Sequence, residues 1–270
     1  MGTMMRLILI AVMLVVLATG CQSTGVLDGK PDTLYQVSLL NALMLGDYDG
    51  FIPISQLKVK GDTGIGTFDT LDGELIMLDG TVYQAKYTGE VVVQKDTASI
   101  PFGAVTWFDT DLEDPNLKDI QDIQALKTYL DATIQRETGD FNCFYTALIQ
   151  GSFRRVHVRS VPPQAKPYLP LAAIAATQPE FMYENVEGTI VALRCPEYVD
   201  GVNLPGWHLH FISQDTTKGG HLLDIDLSTA TLRLDVIRQF ELVLPGSVAF
   251  AGLDITRDLK KATQQVEGKP

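Results

Sequence analysis

The sequence predicts an α/β fold of the α+β kind, rich in strand and organised in two parts. Residues 33–140 would form a mixed β-sheet part, and residues 141–270 an antiparallel sheet or small barrel carrying a candidate metal site. Three observations lead there. Only two stretches, 33–45 and 116–137, space their apolar residues at the helical period. Between them, residues 52–94 break into short β-rich runs separated by glycine turns. Beyond 141 nearly everything reads as extended, in evenly spaced runs bounded by turn residues.

Residues 1–21 stand apart. Arg6 precedes an apolar run from Leu7 to Leu17, and Ala18-Thr19-Gly20-Cys21 follows. This is the layout of a secretory signal, because a spanning helix needs roughly 18–20 apolar residues. Ending at Cys21, the segment resembles a bacterial lipoprotein signal, whose cleavage leaves the cysteine as an acylated N-terminus, although Ala18 stands where leucine is usual. The other reading is an ordinary cleaved signal with an incidental cysteine. Residues 22–32 would be a tether, and the expected location is the cell envelope, with a lipid anchor as the only membrane contact.

From Thr33 to Leu45 the residues Leu34, Val37, Leu40, Leu43 and Met44 predict a short amphipathic helix, stopped at Gly46–Gly50. Ile76-Met77-Leu78 and Val82-Tyr83 flank Asp79-Gly80, a two-residue hairpin signal, since that turn needs positive φ at both central positions. Pro101 to Phe108 is a further strand. Ile120, Ile123, Leu126, Leu130 and Ile134 form one stripe, which predicts a helix over 116–137. Residues 141–161 hold two expected strands, the second alternating Val156, His157, Val158, Arg159 until Pro162-Pro163 ends it. The Pro-rich stretch to Pro179 reads as a linker or a cover over the sheet. Strands are then expected at 189–193, 207–213, 221–227, 231–237 and 240–244.

At 270 residues and 46% hydrophobic, the chain can bury a full core, which excludes a disordered or fibrous protein. A net charge of −12 without any Lys/Arg run excludes nucleic acid as a partner, because phosphate binding needs clustered cations. Cys143 and Cys195 could pair in an oxidising compartment, yet their spacing does not require it, and they read as buried apolar side chains.

The most informative stretch is Gly206-Trp207-His208-Leu209-His210-Phe211, with His221 following after a turn at 215–220. Alternate side chains of a strand share a face, so His208 and His210 point together while Trp207, Leu209 and Phe211 pack oppositely. The turn returns His221 on a neighbouring strand beside the pair. Three imidazoles suit zinc, with a fourth position open to water or substrate. The same residues read alone also fit solvent-facing histidines. His157 shares its face with Arg155 and Arg159, lacks metal spacing to the others, and reads as a supporting or surface residue.

These residues have a family resemblance. Over roughly Tyr35 to Ile255 the chain resembles the acetolactate decarboxylases, through Gly64-Ile65-Gly66-Thr67-Phe68, Leu71-Asp72-Gly73-Glu74-Leu75-Ile76, Leu78-Asp79-Gly80, Val161-Pro162, Lys166-Pro167-Tyr168, the 206–211 stretch and Gly219-Gly220-His221. The resemblance implies a two-domain α/β architecture and zinc on His208, His210 and His221. It implies conversion of 2-acetolactate to acetoin and carbon dioxide, and a homodimer. It also places Thr67, Glu74 and Arg159 in the active site, and extending the match without gaps places Glu267 there. Trp207, where another aromatic is expected, and His157 are departures.

The chemistry fits these residue types. Loss of carbon dioxide leaves an electron pair that an adjacent carbonyl must accept, and a Lewis acid lowers that barrier. Arg159 offers a donor fork for a carboxylate. Glu74 or Glu267 would return a proton if its pKa is raised; without the resemblance, Glu74 after Asp72-Gly73 also reads as a turn acid. Two other functions share the histidine pattern. A cupin-like oxygenase would add a carboxylate soon after the pair, where Asp215 stands in a turn, and a non-catalytic zinc-binding envelope lipoprotein would carry His/Asp-rich loops, which this chain lacks.

Overall fold

The structure, a computed structural model, describes residues 32–267. The signal reading over residues 1–21, with Cys21, and nearly all of the expected tether lie outside the described residues. In chain order the elements are β1 Thr33–Val37, α1 Leu40–Met44, β2 Ile52–Pro53, α2 Ile54–Lys58, β3 Thr63–Thr67, β4 Glu74–Leu78, β5 Thr81–Ala85, β6 Val91–Val93, β7 Ser99–Ile100, β8 Phe102–Thr106 and β9 Leu112–Ile120. They continue with α3 Ile123–Glu137, β10 Phe144–Arg159, α4 Leu171–Ala175, β11 Glu180–Cys195, β12 Gly206–Ser213, β13 Gly219–Ile237, β14 Gln239–Val243, α5 Val248–Ala251 and α6 Lys260–Glu267.

Two main sheets result. The first runs β14-β1-β8-β3-β4-β5-β6 and is mixed, because β1 and β14 pair in parallel while the other pairs are antiparallel. The second runs β10-β11-β12-β13-β9, and a further pairing of β10 with β13 closes four of its strands into a ring. This is the α/β, strand-rich architecture expected, with the antiparallel barrel in the second half. The boundary expected after residue 140 is not where the sheets divide, however. Strand β9 and helix α3 belong with the barrel, and β14 returns to the edge of the first sheet.

Local signals explain several elements. Asp79 and Gly80 take φ of 49° and 74°, so the β4–β5 hairpin has the two positive-φ residues its sequence calls for. Helix α3 starts where the Asp122 carboxylate accepts from Ala125 N at 2.7 Å and satisfies a free backbone donor. Two sequence expectations fail. Thr33–Val37 is a strand, not the start of a helix: hydrogen-bonded neighbours on both sides settle a pattern that local spacing left ambiguous, and Ser38 at φ 61° separates it from α1. Residues 116–120 likewise extend β9, and α3 begins only after the Asp122 cap. The two strands expected within 141–161 are one long strand, β10, whose register shifts near Ser152 and Phe153 are absorbed without a break. Similarly, 221–227 and 231–237 are parts of the single β13.

The barrel interior is filled by Tyr145, Ile149, Phe153, Val156, Val158, Leu209, Phe211, Leu222 and Ile225, with α3 packed over it through Leu126, Leu130 and Ile134. A separate apolar cluster joins α1, α4 and α6 through Leu40, Leu43, Leu171, Ile174 and Val266. The Pro-rich stretch before Pro179 thus acts as the expected cover and holds α4. Cys143 and Cys195 are both free and buried.

Candidate active site

The two sheets meet where β12 faces β4. Trp207, Leu209 and Phe211 point into the barrel core, so strand alternation turns His208 and His210 the other way, toward the first sheet. The turn at 213–218 then places His221 directly opposite His210 in the β12–β13 register, and Arg159 opposite His221 in the β10–β13 register. All three sequence-derived histidines therefore converge. Nε2 of His208 lies 3.1 Å from Nδ1 of His221 and 3.2 Å from Nε2 of His210.

These nitrogens suit a metal ion. Zinc–nitrogen bonds of about 2.0–2.1 Å in a tetrahedron set ligand nitrogens about 3.3 Å apart, close to the spacing seen. His210 Nδ1 donates to the Leu75 carbonyl at 2.9 Å, which leaves Nε2 with its lone pair aimed at the cluster. Burial holds the imidazoles neutral: His208 is pushed down to about 3, and His210 and His221 are driven well below their ordinary value, with the Arg159 charge adding to burial in each case. Neutral, desolvated imidazoles with convergent lone pairs are the donor set that a borderline-soft divalent cation requires.

The remaining expected residues line one narrow cleft beside the cluster. Glu74, first residue of β4, has Oε2 3.6 Å from His210 Nε2. Burial raises its carboxyl to about 8, Arg159 opposes this, and Glu267 reinforces it. Thr67 pairs with Glu74 in register, and its hydroxyl donates to the Gly73 carbonyl at 2.7 Å, which fixes the turn leading into Glu74. Arg159 is 4% exposed; it donates to Gln178 Oε1 at 3.2 Å and to Glu267 Oε1 at 3.4 Å. A buried pair of this kind gains little net stability, and its value lies in orienting the guanidinium.

Glu267 arrives from α6, whose eight residues are too few to hold a helix unaided; burial of Val266 docks it, worth about 1.5–2 kcal/mol. Its Oε2 stands 3.5 Å from His221 Nε2 and 3.8 Å from His208 Nε2. Among the described residues, that oxygen and Arg159 Nε are buried without a hydrogen-bond partner, and both residues line the cleft. His157 is outside the site, pairing at 2.8 Å with Glu180 at the surface. Asp215 is also outside, accepting from Ser213 and Thr217 in its own exposed turn, so the carboxylate of a cupin-like centre is not supplied there. Sequence reasoning missed the Leu75 carbonyl and Gln178: the first is a backbone group, and the second lies in the cover segment, where no spacing links it to Arg159.

Three neutral imidazoles able to hold a metal ion, a buried arginine and two buried carboxylates around one small cleft have the donors and acids of an enzyme active site. The comparisons name the family. The family described as alpha-acetolactate decarboxylase matches residues 34–257. A Methanosarcina mazei protein named alpha-acetolactate decarboxylase is 42% identical over 240 residues, 89% of this chain and 82% of its own. A relative of the same name from Methylococcus capsulatus is 38% identical over 87% of this chain and 88% of its own. The crystal structure of alpha-acetolactate decarboxylase from Bacillus subtilis superposes with a TM-score of 0.83 at 33% identity, covering 88% of this chain and 100% of that one. The chain belongs to the alpha-acetolactate decarboxylase family, and it is a carboxy-lyase.

Proposed function

We propose that the protein is a zinc-dependent decarboxylase that converts (S)-2-acetolactate to (R)-acetoin and carbon dioxide. The observation that carries the reading is the convergence of the His208, His210 and His221 nitrogens, held neutral by burial, beside the Arg159 guanidinium. A zinc ion held by these three residues would supply Lewis-acid polarisation of the substrate's ketone and hydroxyl oxygens.

The chain's own residues do the rest. Arg159, tied at one end to Gln178 and Glu267, presents Nε and the rest of its fork to the carboxylate that leaves, fixing the breaking bond in one orientation. As carbon dioxide departs, the electron pair of the C–C bond moves onto the adjacent carbonyl as an enediolate. Glu74 carries a proton at neutral pH because burial raises its carboxyl to about 8 even with the Arg159 charge opposing the rise, which leaves it close to the operating pH, where a general acid works best. A donor fixed on the β4 wall delivers its proton to one face of the enediolate, which yields one enantiomer. Glu267, on the α6 side of the cleft, holds the Arg159 guanidinium in position and is the second carboxylate lining the cleft.

The sequence of residues 1–21 supports export and anchoring in the cell envelope through acylated Cys21. The resemblance supports a homodimer, which sedimentation of the mature chain tests. The experiment for the reaction is acetoin release from racemic acetolactate by protein lacking residues 1–21, before and after exhaustive chelation. (R)-Acetoin that disappears with the metal and returns with zinc is expected; acetoin formation indifferent to chelation would overturn the zinc-dependent mechanism.

A further inference from the structure

Behind Glu267 lies a second chamber of about 210 Å³, open to solvent on one side and bounded in part by Lys127, Trp207, Lys260, Gln264 and Glu267. Glu267 also lines the catalytic cleft, so the two spaces adjoin at this residue. The chamber's cations are differently committed. Lys260 is paired with Asp200 at 3.2 Å. Lys127, in the first half of α3, feels the charges of Glu267 and Asp131 but makes no hydrogen bond or close ion pair among the described residues. Asp131, one turn further along α3, is already engaged: its Oδ1 accepts from Trp207 Nε1 at 2.8 Å and from Arg194 Nε at 3.3 Å. The same contacts fix Trp207, whose indole packs in the barrel core.

Lys127 is also near enough to the metal cluster for its charge to help keep His208 and His221 unprotonated. Partial burial pushes its own pKa down, which marks an ammonium already stripped of some water and able to gain more from an incoming anion than a solvated lysine would. Resting on the reading of the site as a decarboxylase of a 2-hydroxy-3-oxo acid, we propose that this chamber is an entry subsite for small monocarboxylates. Lys127 receives the substrate carboxylate there, before the molecule passes Glu267 to reach Arg159.

Two features support that assignment. The chain carries a net charge of −12, so its mean field repels an anionic substrate, and an unpaired cation lining this recess restores attraction locally. Glu197, Glu267 and the Lys260-paired Asp200, also in the chamber wall, oppose a dianion, so a single carboxylate on a short apolar body is what the lining fits, with Leu204 and Pro205 as its apolar residues.

The test uses the zinc-reconstituted mature protein, with Lys127→Gln, Lys127→Arg and equal zinc content verified in each. Lys127→Gln should lower kcat/KM for acetolactate by about tenfold, leave kcat within about twofold and flatten the salt dependence of kcat/KM, and Lys127→Arg should restore most of the loss. An independent readout is the 13C NMR signal of reductively dimethylated Lys127 during titration with 2-hydroxy-2-methylbutanoate, which has the carboxylate but no ketone and cannot react. That signal should shift saturably. A fall in kcat with KM unchanged, or a Lys127 signal that ignores the carboxylate, overturns the subsite. A shifting signal in a protein inactive on acetolactate would keep the subsite and remove the substrate assignment instead.

Discussion

Glu74→Gln in the metal-free protein separates the acid's chemical role from its cost to the fold. The folded carboxyl is raised from 4.5 to about 8, chiefly by burial, so the folded protein keeps a proton that the unfolded chain releases within that window. Stability from this group is complete below 4.5 and falls as pH rises toward 8, at up to about 1.4 kcal/mol per pH unit. Integrated between about pH 5 and pH 7, the loss is about 2.5 kcal/mol, a sizeable share of the 5–15 kcal/mol typical of a domain. The histidines act in the opposite sense: their folded pKa values are depressed, so their contribution is present above 6.5 and is lost progressively as pH falls below it, down to about 3 for His208. The difference between wild type and Glu74→Gln isolates the carboxyl, since glutamine keeps the shape and cannot ionise. Urea unfolding of both chelated proteins at several pH values is the assay. The variant should gain on the wild type by about 2.5 kcal/mol from pH 5 to pH 7, and saturating zinc should shrink that gap. Parallel stability curves for the two proteins would refute the claim that Glu74 is held protonated by burial.

The other predictions concern the frame and the anchor. Arg159→Lys keeps a charge but loses the fork, so kcat/KM should fall at least a hundredfold with zinc content unchanged; near-normal kcat/KM would remove Arg159 from carboxylate positioning. Gly220→Ala adds a Cβ 2.6 Å from the Arg159 carbonyl oxygen at a backbone φ of 148°, so it should cost about 2–4 kcal/mol and loosen zinc by separating β13 from β10, as calorimetry and metal titration would read. The wild-type protein should fractionate with membranes and incorporate labelled palmitate, and Cys21→Ala should release it; a soluble, unlabelled wild type would leave only a cleaved signal.

Much of the site was legible because its chemistry lies on regular strands. Alternation through Trp207, His208, Leu209 and His210 fixed which side chains share a face, and the length of the following turn brought His221 to them. Asp79-Gly80 likewise declared its hairpin through local φ requirements. What remained hidden depends on partners distant in sequence. Leu34 and Val37, three apart, share a face only in a helix; in β1 they lie on opposite faces of a sheet buried on both sides, and only pairing with β14, some two hundred residues away, decides for a strand. Ile120 fell on the helical stripe of α3 yet completes β9, because the Asp122 cap sets the helix start. Helix α6 has one buried apolar residue, Val266, so no periodicity announces it. Glu267 therefore rested on extending a resemblance, and it lies beyond the 34–257 stretch that the family matches. Lys127 carried no sequence signal at all: it is one lysine on an amphipathic helix, and its meaning comes from the chamber it faces.

The central claim, a catalytic zinc held by three histidines, is tested most directly by metal analysis of the wild-type protein beside His208→Ala, His210→Ala, His221→Ala and His157→Ala, each assayed for acetoin in parallel. The wild type and His157→Ala should carry one zinc per chain and remain active, while the three cluster variants lose both metal and activity. Stoichiometric zinc in all three cluster variants, or full activity in any metal-free one, would contradict it.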